Sequence, residues 1–335
     1  MSEDGDAAHR YDMTIKMFGV QAEPAFETPE QQNAIWGRNW GCDNDVGRLR
    51  VVLMHRPGSE LDVVDPRKRI ESIGTFGDLE KGWYWQSDTI PQISEMQAQH
   101  DALVETLRDE GVEVVFVEGE KGHNLKSCYT RDPAFAVKGG AIVTRMGARI
   151  RRGEERVITR TLANLGMPIL RTIHGSGLVE GGSFAWLNSK TAVIGHSIRV
   201  NEEGVQQVEE VLRAQGVELI RIDLGGYEIH IDGSFLMVDV DTALVRAEAL
   251  SYWFLEKLKE LKIRTVETHP DDDGWIINGL AVRPGRVLMP PGISNRTLDQ
   301  LAKLNIEVVT LPYDKMALNG GGIHCSTCPL IRDPV

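Results

Sequence analysis

Short apolar runs entered through polar or glycine-containing turns recur along the chain from residue 132 onward. They lie at 132–137 (DPAFAV), 182–187 (GSFAWL), 233–238 (GSFLMV) and 278–282 (NGLAV). Each is too short for a helix and is bounded by turn residues, so each predicts a strand. A polar turn follows every one, at Lys138-Gly139-Gly140, Asn188-Ser189-Lys190, residues 239–241 and Arg283-Pro284-Gly285-Arg286. A second apolar run then returns, as at 141–144 and 192–195, which makes the pattern a hairpin. The apolar period next becomes helical over 204–215 and 251–261, before further strands at 217–222 and 263–266. The predicted repeat is strand, strand, helix, strand.

Counted from Asp132, Gly181, Asp232 and Asn278, the unit starts lie 49, 51 and 46 residues apart, and a further 47 reaches Cys325. The tail after Cys325 has room for one strand. Near the N-terminus a strand at 47–58, a helix at 93–110 and a strand at 112–117 lack the partner that the tail can supply. The two ends together complete a fifth unit, and closing the array removes exposed sheet edges. The expected fold is α/β: a five-bladed α/β propeller of ββαβ modules with pseudo-fivefold symmetry. It spans 42–335 as a single domain closed by N- and C-terminal strands, behind an N-terminal extension of residues 1–41. Closure brings Asp132, Glu180, His230, Asp232 and Cys325 around one axis. Trp36, Trp40, Trp83 and Trp85 are expected to serve packing, with a cap over one mouth of the ring as the alternative.

Composition sets limits on function. Of 335 residues, 41% are hydrophobic and 26% charged, ordinary values for a globular protein. The net charge of −12 argues against a nucleic-acid or acidic-membrane partner and suits a small cationic substrate. No stretch is long and apolar enough to span a bilayer, and the acidic first ten residues lack a signal-peptide core, so a cytoplasmic location is expected. A homo-oligomer is left open. Four cysteines are too few for a disulfide scaffold, and their spacing completes no zinc site, so no metal is expected. Cys325 and Cys328 form a C-x-x-C, but Pro329 and a strand follow instead of the helix that a redox dithiol needs.

Cys325 ends the run Gly320-Gly321-Gly322-Ile323-His324-Cys325, where glycines allow close backbone approach and are expected to leave the thiol uncovered. A thiolate attacks electron-poor carbon, and a guanidinium carbon qualifies once carboxylates hold it. Asp132 and Asp232 are the candidates to do so by paired hydrogen bonds. The departing amine needs a proton and the next nucleophile must lose one. His230 is the candidate for both, with Glu180 orienting its ring and favouring the cation.

These motifs, Thr130-Arg131-Asp132-Pro133, Glu180-Gly181-Gly182, His230-Ile231-Asp232 and the glycine run into Cys325, resemble the guanidino-group modifying superfamily. That superfamily holds arginine deiminases, dimethylarginine dimethylaminohydrolases, agmatine deiminases and amidinotransferases. The match runs from Gly47 to the C-terminus. It implies the pentein propeller, a cysteine nucleophile working through a thiouronium-type intermediate, and no cofactor. By the same resemblance Arg151 or Arg152 reads a substrate carboxylate, and Arg199 is the second such arginine. Residues 46–61 look like the first strand of the deiminases and dimethylaminohydrolases, whereas His324-Cys325-Ser326-Thr327-Cys328 looks closer to the glycine amidinotransferases. Lys126 departs from the pattern, standing where the hydrolases have Asp or Asn; either Asn124 serves instead or the substrate differs. Glu180-Gly181-Gly182-Ser183 replaces the commoner Glu-Gly-Gly-Asp. The expected activity is hydrolysis of a C–N bond in arginine or an arginine derivative. The alternatives are an amidinotransferase with an amine acceptor such as glycine, and a non-catalytic propeller that binds a partner.

Overall fold

The four internal hairpins form. In a computed structural model that describes residues 3–17, 28–78, 80–81, 83–118 and 124–335, Ala134–Val137 pairs antiparallel with Gly140–Val143, and Phe184–Asn188 with Thr191–His196. Phe235–Asp239 pairs with Thr242–Val245, and Leu280–Arg283 with Arg286–Met289. Each second strand pairs in parallel with a third: Ile169–Thr172, Glu218–Asp223, Arg264–Glu267 and Glu307–Thr310. A parallel partner needs a crossover, and the helices Glu154–Leu165, Glu202–Ala214, Tyr252–Glu260 and Asn295–Lys303 supply it.

The fifth sheet is assembled from both ends of the chain. Leu49–Met54 pairs antiparallel with Cys328–Arg332 and parallel with Glu113–Phe116, which follows the helix Ile93–Asp109. Arg332 fastens this seam by donating to the Gly47 carbonyl at 2.7 Å, and ties it to the neighbouring sheet by donating to the Ala281 carbonyl at 2.8 Å. The architecture is mixed α/β.

Burial grades across the sheets. The first strands, such as Ala134–Val137, are buried along almost their whole length, while Glu113–Phe116, Arg264–Glu267 and Glu307–Thr310 are exposed at both ends. This is why the first strands read as continuous apolar runs and not as an alternation. They pack on one another: Phe135 stacks on Phe184 of the next first strand at 4.3 Å. The residues just before these inner strands share one end of the sheets, which is where the site forms.

Two features differ from the sequence expectation. The inner strands start about two residues late, at Ala134, Phe184, Phe235 and Leu280, because short helical turns at Gly181–Ser183 and Ile231–Gly233 and other turns occupy the unit starts. A sixth, all-antiparallel sheet of Arg69–Ile70, Thr75–Asp78 and Trp83–Trp85 was not expected. It buries Trp83 and Trp85, and the Trp85 indole donates to the Thr89 carbonyl at 2.8 Å, so these two tryptophans are packing residues.

Met1–Asn39 and Trp40–Val335 are two compact units. In the first, the helix Glu3–Tyr11 runs into a π-type turn at Asp12–Met17, and Pro29–Trp36 is a helix capped by Thr28 and ended by Gly37 at φ 74°. No described helix is long and apolar enough to cross a membrane.

Candidate active site

The loop ahead of Asp132 is stitched to the loop that carries Cys325. Thr130 Oγ1 donates to the Leu53 and Ser326 carbonyls, and the Arg131 amide donates to the Cys325 carbonyl at 3.0 Å. Asp132 then accepts from the Gly182 amide at 3.0 Å through Oδ1 and from Arg151 Nη1 through Oδ2. Gly182 stands at the centre of the group. A Cβ there would lie 2.8 Å from Asp132 Oδ1, 2.8 Å from His230 Nδ1 and 3.1 Å from Asp232 Oδ2. The glycine pair after Glu180 thus serves close approach of backbone to these side chains.

His230 and Glu180 form a buried pair, with Nε2···Oε2 at 2.8 Å, and His230 Nδ1 lies 3.7 Å from Asp132 Oδ1. Glu180 is fully buried and also accepts from the Gly147 amide and Arg199 Nη1, at 2.9 and 3.1 Å. Burial works against an imidazolium, but the Asp132 charge and the Glu180 hydrogen bond outweigh it and raise His230 to about 9. Burial would likewise lift Glu180, but the bond from His230 and the charges of Arg199 and Arg151 hold it well below the carboxylate range.

Cys325 is held by its amide, which donates to Asn278 Oδ1 at 3.1 Å, and its Sγ lies 3.5 Å from Asp232 Oδ2. Its thiol is not uncovered as expected: the residue is 7% exposed. The glycines bring the loop against protein, Gly321 onto the Tyr129 ring and Gly322 onto Asn278, and so fold the cysteine inward. Burial and the Asp232 and Asp132 charges push its thiol well above the ordinary range. All four cysteines are buried and unpaired.

The arginines divide. Arg151 is buried and engaged by Asp132, by Glu154 at 2.8 Å and by the Tyr129 carbonyl at 3.0 Å. Arg152 is exposed, with Nε 3.4 Å from the Met146 carbonyl, and Arg199 is half-buried on Glu180. Lys126 turns to the root of the loop that carries Cys325: Nζ donates to the carbonyls of Asn319 and Tyr84 and lies 5.0 Å from the centre of the Tyr84 ring. Burial and the nearby Arg151 charge lower it to about 7. The Asn124 carbonyl accepts from the Ser127 amide in the turn leading to Lys126.

Three participants carried no assignment from sequence. Asn278 lies at a unit start, which was a usable signal. His324, bonded to Asp232 at 2.8 Å, was marked only by its place beside Cys325, and Glu154, the partner of Arg151, by nothing. Among the described residues, Asp132, Glu180 and His230 are the set able to offer a metal three ligand atoms within 4.8 Å of one another. A metal there would have to displace the proton that both carboxylates keep on His230.

A buried thiol beside carboxylates, with an imidazolium–carboxylate pair alongside, is the arrangement of an enzyme that modifies a cationic carbon centre. The comparisons agree. The family model described as N,N dimethylarginine dimethylhydrolase, eukaryotic, matches residues 81–268. The chain is 25% identical to an N(G),N(G)-dimethylarginine dimethylaminohydrolase of Pseudomonas aeruginosa over 70% of this chain and 88% of the relative. It is 22% identical to an arginine deiminase of Staphylococcus haemolyticus, over 88% and 98% respectively. The solved Pseudomonas aeruginosa enzyme, a cysteine-to-serine mutant complexed with citrulline, superposes with TM-score 0.68 at 22% identity, covering 85% of this chain and all of that one. The amidinotransferase SxtG of Microseira wollei gives 0.70 at 15%, covering 89% and 98%. The chain belongs to the N,N-dimethylarginine dimethylhydrolase family of the guanidino-modifying superfamily, and it is a hydrolase acting on C–N bonds of amidines.

Proposed function

We propose that residues 42–335 form one catalytic domain, a five-bladed propeller, that hydrolyses a guanidino compound through a covalent thiouronium on Cys325. The observation that carries this reading is the buried sulfur 3.5 Å from Asp232. Anionic neighbours keep it a thiol until a cation arrives. A guanidinium seated between Asp132 and Asp232 cancels their field, and the thiol releases its proton to water. The thiolate adds to the central carbon, forming the C–S bond. The imidazolium of His230 donates its proton to one nitrogen, and that C–N bond breaks to release the amine. His230, now neutral, takes a proton from a water that adds to the same carbon. The C–S bond then breaks, leaving an ureido product and the free cysteine.

We assign to Arg199 and the exposed Arg152 the reading of a carboxylate on the substrate tail, in keeping with arginine or an arginine derivative. Arg151 instead supports Asp132. Lys126 Nζ is directed to backbone carbonyls and its basicity is lowered, so it need not oppose the guanidinium.

A second reading, transfer of the amidino group to an amine, draws on the segment His324-Cys325-Ser326-Thr327-Cys328 and its likeness to amidinotransferases. The two part in heavy-oxygen water with a panel of guanidino compounds, with and without glycine, followed by mass spectrometry. We expect labelled ureido product without added amine. Turnover only with an amine, and no label, would overturn hydrolysis.

A further inference from the structure

A small cavity beside the nucleophile is lined by Asp45, Arg131, Asp232, His324 and Arg332 together with apolar side chains such as Met237. Of these titratable groups, only Asp232 enters the chemistry above, and its carboxylate is not free to turn. Oδ2 meets His324 Nδ1 at 2.8 Å and lies 3.5 Å from Cys325 Sγ. Burial and the Arg131 charge lower the basicity of His324 below the ordinary value, which favours the neutral ring. A neutral imidazole bonded to a carboxylate through Nδ1 must carry its hydrogen there.

We propose that His324 is a positioning residue for the amidine chemistry: its Nδ1–H fixes Oδ2 of Asp232 beside the sulfur and leaves Oδ1 to hold the guanidinium. This rests on the reading of Cys325 as nucleophile. Main-chain bonds already secure the segment, from the His324 amide to the Asn278 carbonyl at 3.0 Å and from the Thr327 amide to the His324 carbonyl at 3.1 Å. The imidazole is therefore not needed to place the nucleophile loop; what it adds is the grip on Asp232. The Asn278 side chain bonds Asp232 at its main-chain carbonyl and not at its carboxylate. Burial raises Asp232, and the His324 hydrogen bond is the first influence bringing it back below the ordinary carboxylate value, ahead of the His230 and Arg131 charges.

Three substitutions separate the donor from the bulk of the ring. Asn places an N–H where the imidazole has Nδ1, Gln places it where the imidazole has Nε2, and Phe offers none. His324→Asn should keep kcat/KM within about threefold of wild type, while His324→Gln and His324→Phe should lose about 10- to 100-fold, the range for one hydrogen bond to a charged group. In His324→Phe the acid limb of kcat/KM should move to higher pH, because Asp232 has lost its donor. A second readout needs no turnover: the rate at which Cys325 is alkylated by chloroacetamidine, which carries an amidinium, over the neutral chloroacetamide. Wild type and His324→Asn should favour the cation, and the other two variants should lose that preference. Equal behaviour of the Asn and Gln variants, or a wild-type acid limb and cation preference in His324→Phe, would overturn the proposal. If a thermal melt shows His324→Phe unfolded, the Asn–Gln contrast still decides. Failure of wild type to turn over any guanidino compound would count against the hydrolase reading, whereas the alkylation ratios would still decide His324.

Discussion

At His230 the charge balance sets a pH limit. Its proton is retained to about 9 by Asp132 and Glu180 against the cost of burial, and the proposed reaction needs that proton for the leaving amine. We therefore expect kcat to fall above pH 9 by about tenfold per unit, as for loss of one essential proton. His230→Ala should lose at least about a hundredfold in rate and, with it, the alkaline limb; stopped-flow or discontinuous assays across pH 6 to 10 check both. Cys325→Ser should abolish turnover, and an early-quenched wild-type reaction should carry its adduct on Cys325. An adduct on Cys328 alone would move the nucleophile. That role is disfavoured by the orientation of the Cys328 thiol, which points to the Ala134 carbonyl at 3.2 Å. His324 shows why some residues stay silent in sequence: its partner Asp232 is 92 positions away, and adjacency to a cysteine does not reveal a carboxylate on another unit.

The elements were legible where a period repeats. Unit starts about 50 residues apart show through because each inner strand must be apolar on both faces while the turn ahead of it must stay polar. Strand onsets were less legible, since Asp132 and Asp232 belong to turns whose backbone leaves the ladder before the apolar run begins. The sheet of Arg69–Ile70, Thr75–Asp78 and Trp83–Trp85 has strands of two to four residues, too short for any period to register. The turn at Gly181–Ser183 gives the prediction that belongs at this scale. In Gly182→Ala the new methyl would press on Asp132, His230 and Asp232 at once. The variant should lose about a hundredfold or more in kcat/KM for about 1–3 kcal/mol of stability, the usual range for overpacking; paired kinetics and denaturant titration check it. An unchanged rate would mean that the three side chains can move apart freely.

For the whole molecule, acid sensitivity should come partly from a residue with no part in the proposed chemistry. His100, fully buried on the helix Ile93–Asp109 with its ring against Phe116 of the following strand, is lowered to about 4 by burial. The unfolded chain binds that proton near 6.5, so the unfolded state takes up more protons between those values. The stability due to a neutral His100 is complete above about 6.5 and is lost as pH falls toward about 4. The loss should be on the order of 3 kcal/mol. Urea titrations at pH 7 and pH 4.5 should show this drop, and His100→Phe should flatten it. An unchanged slope in that variant would place the acid sensitivity elsewhere.

The seam in the fifth sheet also bears on how the chain comes off the ribosome. Cys328–Arg332 follows every other described strand and begins three positions after Cys325. Asp132, Glu180, His230 and Asp232 are therefore all synthesised before the sulfur emerges. The strand that completes the fifth sheet therefore emerges directly behind the proposed nucleophile, and a chain truncated before Cys325 lacks both.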